Sequence, residues 1–271
     1  MPKTVLITGT SSGIGKLAAM YFAQQGWNVA ATMRNPSKDK DLCNISNLKL
    51  YSLDVTDSNS IQTAIASAIQ DFGQIDVLVN NAGFGVDGVF EAMTDDIIEQ
   101  QFNTNVFGLM RVTRAIIPQM RKQGGGTIIQ IASMGGRITF PLYSIYHSSK
   151  WAVEGFSESL HYELAPFNIK IKIIEPGAIK TEFYGSSRRF IMSDNLPMYK
   201  SLVDTVESIS QEAGRNGESP EVVAKVIFQA ASDRSSKLRY AVGKPAPLLL
   251  VLRKLLPDSW YFSLIKRGYK I

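Results

Sequence analysis

Short aliphatic and β-branched runs alternate with longer helical patterns from residue 5 to residue 174, and this rhythm restricts the fold most. Val5-Leu6-Ile7-Thr8 reads as a buried strand, followed by a helix from Gly13 to Gln25 that Gly26 ends. Val29 to Thr32, Lys49 to Leu53 and Val77 to Val79 read as further strands, with a helix from Ile61 to Phe72. A long helical region runs from Thr94 to about Met120, and Thr127 to Ala132 is a fifth strand. A helix ending near Leu164 and a strand from Ile169 to Ile174 complete the series. Strands that alternate with helices make parallel βαβ units, so the expected class is α/β, a doubly wound parallel sheet with helices on both faces. No stretch rich in Pro, Gly or Ser divides the series and no repeat interrupts it. One domain is expected.

The 271 residues suffice for one large α/β core. A single cysteine, Cys43, excludes an internal disulfide framework and fits a reducing compartment. The formal charge of +5 is mildly basic, but no Arg/Lys stripe with interleaved aromatics is present, so no nucleic-acid partner is expected. Two histidines and one cysteine make no metal cluster. No signal peptide is read before the first strand, and no apolar run approaches the ~20 residues of a membrane-spanning helix. A cytoplasmic protein is expected.

Thr8-Gly9-Thr10-Ser11-Ser12-Gly13-Ile14-Gly15 joins the first strand to the first helix. Glycines there let the backbone approach a pyrophosphate at the helix N-terminus. Where the second strand ends, an acidic residue would bond ribose hydroxyls and an arginine would accept an added phosphate. This chain has Met33-Arg34, which favours NADP(H) over NAD(H). Tyr146 and Lys150 stand one helical turn apart, so the ammonium can favour phenolate over phenol. Such a phenol can move a proton to or from a hydroxyl, and Ser133, thirteen residues before the tyrosine, can be a second donor aimed at that hydroxyl oxygen.

Thr8-Gly9 through Gly15, Asn80-Asn81-Ala82-Gly83, Asn105, Ser133, Tyr146-x-x-x-Lys150 and Pro176-Gly177 occur in register. Together they resemble the short-chain dehydrogenase/reductase family over about residues 3–181. The resemblance implies a single Rossmann-type domain and hydride exchange between a nicotinamide cofactor and an alcohol or carbonyl. Tyr146 would be the general acid or base, Lys150 would lower its pKa, and Ser133 would polarise the substrate oxygen. Asn105 would hold a water in a proton relay. The cofactor would meet Gly9, Ser11, Ser12, Gly13, Ile14, Gly15 and Arg34 at the first two strand ends. Beyond these it would meet Asp54, Val55, Asn81, Ala82 and Gly83, and then Tyr146, Lys150, Pro176, Gly177, Ile179 and Thr181. Ala82-Gly83-Phe84-Gly85, Ser133-Met134-Gly135-Gly136 and the segment from Trp151 to Phe156 look like the 17β-hydroxysteroid and retinol dehydrogenase branch. That implies a hydrophobic substrate, with Met134, Phe140, Leu142, Tyr143 and Phe183 as candidate pocket residues. Family members assemble as homodimers or homotetramers, and the same is expected here. The alternative is a protein that senses or scaffolds with bound NADP(H) and turns nothing over.

Residues 182–217, including Ser186-Ser187-Arg188-Arg189, depart from the βα rhythm directly after a strand and read as a substrate lid. The tail from 245 to 271 alternates apolar and basic residues at helical spacing. Three uses fit it: a flap over the substrate mouth, a subunit contact, or a peripheral contact with a membrane surface.

Overall fold

Thr-Val-Leu-Ile-Thr folds as β1 (Thr4–Thr8) with all five residues buried, because helices cover both faces of the sheet it joins. The computed structural model describes residues 2–185, 187–192, 194–233 and 235–271; Ser186, read as part of the lid, lies outside these. β1 leads into α1 (Gly13–Gln24), then β2 (Asn28–Met33), β3 (Leu48–Ser52), α2 (Ser58–Phe72), β4 (Val77–Asn80) and a short β5 (Gly85–Gly88). α3 (Asp95–Phe102) and α4 (Leu109–Lys122) follow, then β6 (Gly126–Ile131), α5 (Ser144–Leu164) and β7 (Ile169–Pro176). β8 (Arg188–Ile191), α6 (Lys200–Asn216), α7 (Pro220–Ser232), β9 (Arg239–Val242), α8 (Ala246–Leu255) and α9 (Asp258–Gly268) complete the chain.

Seven strands form one parallel sheet in the order β3-β2-β1-β4-β6-β7-β9. This is the doubly wound Rossmann arrangement. Because β1 pairs with β2 on one side and β4 on the other, connections leave in opposite directions after these two strands. The crevice so opened lies at the C-terminal strand ends, where such sheets bind ligands. Alternate side chains serve opposite layers. Val5, Ile7, Val29 and Val79 pack with Phe22 of α1 and Ile227 of α7. Leu6, Ala30, Leu78 and Ile128 pack with Ile61, Ile116 and Leu160 on the other face. Each fully buried aliphatic side chain contributes about 1.5–3 kcal/mol.

The long helix expected over 94–120 is interrupted by a π-type segment, Asn103–Gly108, between α3 and α4. The described residues within 182–217 include regular elements: β8 pairs in parallel with β5, and α6 follows. The sheet also gains β9, whose four residues, Arg-Tyr-Ala-Val, carry too little pattern to stand out in the sequence. Among the described residues, no helix is long and apolar enough to cross a membrane.

Candidate active site

One cavity of about 760 Å³ runs along the C-terminal ends of the strands. Arg34, Asp54 and Val55 line one end, and Gly9, Ser11, Ser12, Gly13, Ile14, Asn81, Ala82 and Gly83 line the middle. Ser133, Tyr146, Lys150, Pro176, Gly177, Ile179 and Thr181 line the other end. The fold thus brings nearly every predicted site residue to one space. Gly15 and Asn105 are the exceptions.

The glycine turn is held from below. Asn81 Nδ2 donates to the Thr8 and Gly9 carbonyls at 2.9 Å each, and Thr8 Oγ1 accepts from the Asn81 and Ala82 amides. Gly9 has φ +71°, and a Cβ there would stand 2.8 Å from Ala82 Cα, so no other residue fits without a shift. A Cβ on Gly15 would meet the Gly9 carbonyl oxygen at 2.3 Å and Asn81 Nδ2 at 2.4 Å. Gly15 therefore packs the helix against the turn and does not face the cavity. Ser12, the residue before α1, makes no side-chain cap bond, and the first turn holds no acidic residue. The first amides of α1 thus lack a side-chain acceptor at the cavity wall, which suits a diphosphate. The residues present fit a dinucleotide.

At the Arg34 end a second depression of about 420 Å³ shares Ser11, Met33 and Arg34 with the first. Lys16, Lys38 and Lys40 line it beside Asp39 and Asp41, and Lys16 pairs with Asp41. Lys16 was legible, one turn into α1 from Ser12, whereas the placement of Lys38 depends on how the loop after β2 folds back. Burial would raise the Asp54 carboxyl, but two bonds from Thr56 and the nearby Arg34 charge hold it below its usual range.

At the other end Tyr146 and Lys150 project from α5. Lys150 Nζ donates to the Ile131 carbonyl at 2.8 Å and lies 5.9 Å from the Tyr146 ring centre. Burial depresses the Lys150 ammonium to about 8, with Glu154 opposing the shift. Burial also pushes the Tyr146 phenol up; the Ser133 hydrogen bond pulls the other way and the Tyr184 phenol adds to the rise. In the chain without cofactor, burial outweighs the influence that would lower the Tyr146 phenol. The Ser133 Oγ also accepts from the Gly135 amide at 3.0 Å, which fixes its direction.

Asn105 is buried, and its side chain clips the backbone of Phe84: Oδ1 accepts from the amide at 3.1 Å and Nδ2 donates to the carbonyl at 2.8 Å. Its side chain therefore positions the Gly83-Phe84 wall and does not line the cavity. His147 is buried, stacked on Tyr143 with ring centres 5.4 Å apart, and its Nδ1 accepts from the Phe140 amide at 3.3 Å. Burial lowers it to about 3, so it is neutral at physiological pH.

Met134, Phe140, Tyr143 and Phe183 line the cavity as expected. Leu142 does not; it turns at φ +66°, with its carbonyl accepting from the Gly88 amide. Phe183 lies over Tyr146 with ring centres 5.0 Å apart. Arg188 of β8 joins Asp87 of β5 to Glu207 of α6, and Tyr143 bonds Ser210 of α6 at 2.8 Å, so this region is tied down over the site. Of the uses left open for the tail, its inner side forms a cavity wall: Pro245, Leu249 and Tyr269 line it, and Tyr269 packs on Phe140 at 6.0 Å.

A phenol, a hydroxyl and an ammonium thus converge beside a groove lined for a dinucleotide, an arrangement able to pass a proton to a carbonyl oxygen where a bound nicotinamide would supply the hydride. The family model for short chain dehydrogenase matches residues 3–191. The 3-ketodihydrosphingosine reductase of Bacteroides thetaiotaomicron is 36% identical over 275 residues, covering 100% of this chain and 99% of the relative. A short-chain dehydrogenase from Streptomyces avermitilis superposes with a TM-score of 0.85 at 34% identity, over 99% of both chains. ElxO, solved with NADP bound, superposes with a TM-score of 0.73 at 29% identity, over 89% of this chain and 98% of its own. The chain belongs to the short-chain dehydrogenase family and is an NAD(P)-dependent oxidoreductase.

Proposed function

We propose that the protein uses NADP(H) to interconvert an alcohol and a carbonyl on a hydrophobic substrate. One observation carries the reading: a single cavity joins Arg34 and the glycine turn to Ser133, Tyr146 and Lys150. Bound cofactor supplies the hydride and, when oxidised, a positive charge beside the phenol. Tyr146 gives its proton to the carbonyl oxygen in reduction and takes it back in oxidation. Ser133, held by the Gly135 amide, donates to the same oxygen. Lys150 holds the nicotinamide ribose and, with the cofactor charge, offsets the burial that raises Tyr146. Asn105 acts on this chemistry through Phe84, whose backbone it holds; a relay water would rest on its backbone carbonyl. Asp54 and Val55 hold the adenine, Asn81, Ala82 and Gly83 the ribose beside it, and Pro176, Gly177, Ile179 and Thr181 the nicotinamide amide.

NADP(H) is favoured over NAD(H) by Arg34 and by Lys16 and Lys38 in the adjoining depression. NADP bound in ElxO agrees with this preference. The aromatic walls of the cavity favour an apolar substrate, as does the likeness to the 17β-hydroxysteroid and retinol dehydrogenase branch. So does the name of the Bacteroides relative, a 3-ketodihydrosphingosine reductase. Phe183 and the segment through α6 form the lid. Exposed Phe107, Trp151 and Tyr162 beside α4 and on α5 support assembly as a homodimer or homotetramer through those helices. The test follows NADPH oxidation at 340 nm against ketones of rising chain length, 3-ketodihydrosphingosine included. NADPH binding without turnover on any of them would favour the sensing role instead.

A further inference from the structure

The outer side of the tail is exposed and has no partner among the described residues. On α8, Leu248, Val251 and Leu255 are 63%, 53% and 72% exposed and follow one another along one face, opposite the buried Ala246 and Leu250. On α9, Trp260 and Leu264 are 68% and 44% exposed, one turn apart, beside the face that buries Tyr261. Between residues 246 and 271 the chain carries Arg253, Lys254, Lys266, Arg267 and Lys270 against Asp258 alone. Arg253 pairs with Asp258, whereas Lys254, Lys266, Arg267 and Lys270 make no ion pair among the described residues. The inner side of the same hairpin forms the cavity wall at Leu249 and Tyr269.

We propose that α8 and α9 dock on the surface of a bilayer rich in anionic phospholipid, with the exposed apolar side chains at the level of the acyl boundary. The charge selects this occupant. An isologous contact with a second copy would set this basic patch against itself, whereas an anionic headgroup layer complements it. The helices lie on the surface and do not cross it: at 10 and 11 residues they reach about 17 Å, against a hydrocarbon core of ~30 Å. Docking sets the Leu249 and Tyr269 wall of the cavity close to the lipid layer.

The full chain is sedimented with phosphatidylcholine vesicles with and without phosphatidylglycerol, at low and high salt. Expected is pelleting with the anionic vesicles only, reduced by salt. Lys266→Gln with Arg267→Gln weakens partitioning about thirtyfold, as removal of two interfacial cations requires. Leu248→Ser with Leu255→Ser weakens it as well, while both variants keep NADPH binding. Tyr146→Phe binds vesicles like the parent, which separates docking from the reading of the active site. Absence of pelleting at low salt overturns the proposal, as does binding indifferent to these substitutions. So does loss of a dimer, by light scattering, in the leucine variant while vesicle binding is unchanged; that result assigns the face to a second copy.

Discussion

Asn105→Ala separates holding the wall from relaying a proton. The substitution deletes the acceptor of the Phe84 amide at 3.1 Å and one donor to its carbonyl at 2.8 Å. The carbonyl keeps Gln101 Nε2 at 3.0 Å, so the amide is the group left without its partner. An orphaned buried amide costs about 1–3 kcal/mol, and truncating a buried side chain adds about 1 kcal/mol. Unfolding entropies of ~2.1 cal/mol/K per residue make each kcal/mol worth about 2 °C in a chain of 271 residues. Scanning calorimetry should therefore show Tm lowered by roughly 4–8 °C, with turnover falling as the Gly83-Phe84 wall loosens. Asn105→Asp should be at least as harmful, since a carboxylate oxygen then faces the Phe84 carbonyl. A Tm within about 1 °C of the parent, which is half the effect of one kcal/mol, combined with a collapse of turnover would refute the clip. That result would assign the side chain itself to the proton relay.

Three further outcomes follow from the same geometry. Arg34→Asp should weaken NADPH about 10- to 100-fold, the worth of a charge-assisted bond to phosphate, and shift preference towards NADH in a nicotinamide-fluorescence titration; unchanged NADPH affinity would remove Arg34 from the site. Gly15→Ala should cost about 1–3 kcal/mol and cofactor affinity together, because the new Cβ meets the Gly9 carbonyl oxygen at 2.3 Å. Lys150 carries a folded pKa of about 8 below its ordinary 10.5, so the unfolded chain holds that proton more tightly. Its contribution is unfavourable below pH 8 and improves as pH rises from 8 to 10.5. Lys150→Met should then raise the Tm of the cofactor-free protein at pH 7, with the gain shrinking towards pH 10; a gain independent of pH would contradict this burial.

The strands and the glycine turn were legible because each is a local pattern: continuous aliphatic runs buried on both faces, then glycines where the backbone must turn. Tyr146, Lys150 and Ser133 were legible as a spacing and a register. Their electrostatics were not, since the rise of the Tyr146 phenol comes from burial by elements distant in sequence, with Tyr184 contributing from the lid. The contact of Asn105 with Phe84 was not legible, because the two stand twenty-one residues apart and Asn105 sits in a π-type segment that no periodicity announces. The pairing of β5 with β8 was hidden for the same reason: Gly-Val-Asp-Gly reads as a turn until Arg188 and Phe183 pack against it. Lys16 and Lys38 became neighbours of Arg34 only through the fold of the loop after β2.

In the proposed reaction Tyr146 moves the proton. The direct measurement is NADPH oxidation at 340 nm by the parent and by Tyr146→Phe on an apolar ketone, with NADPH affinity titrated in both. A positioned acid contributes about 10²–10⁴-fold, so turnover should fall by that factor while NADPH affinity stays within about threefold. A phenylalanine variant that turns over as fast as the parent would remove Tyr146 from the proton transfer.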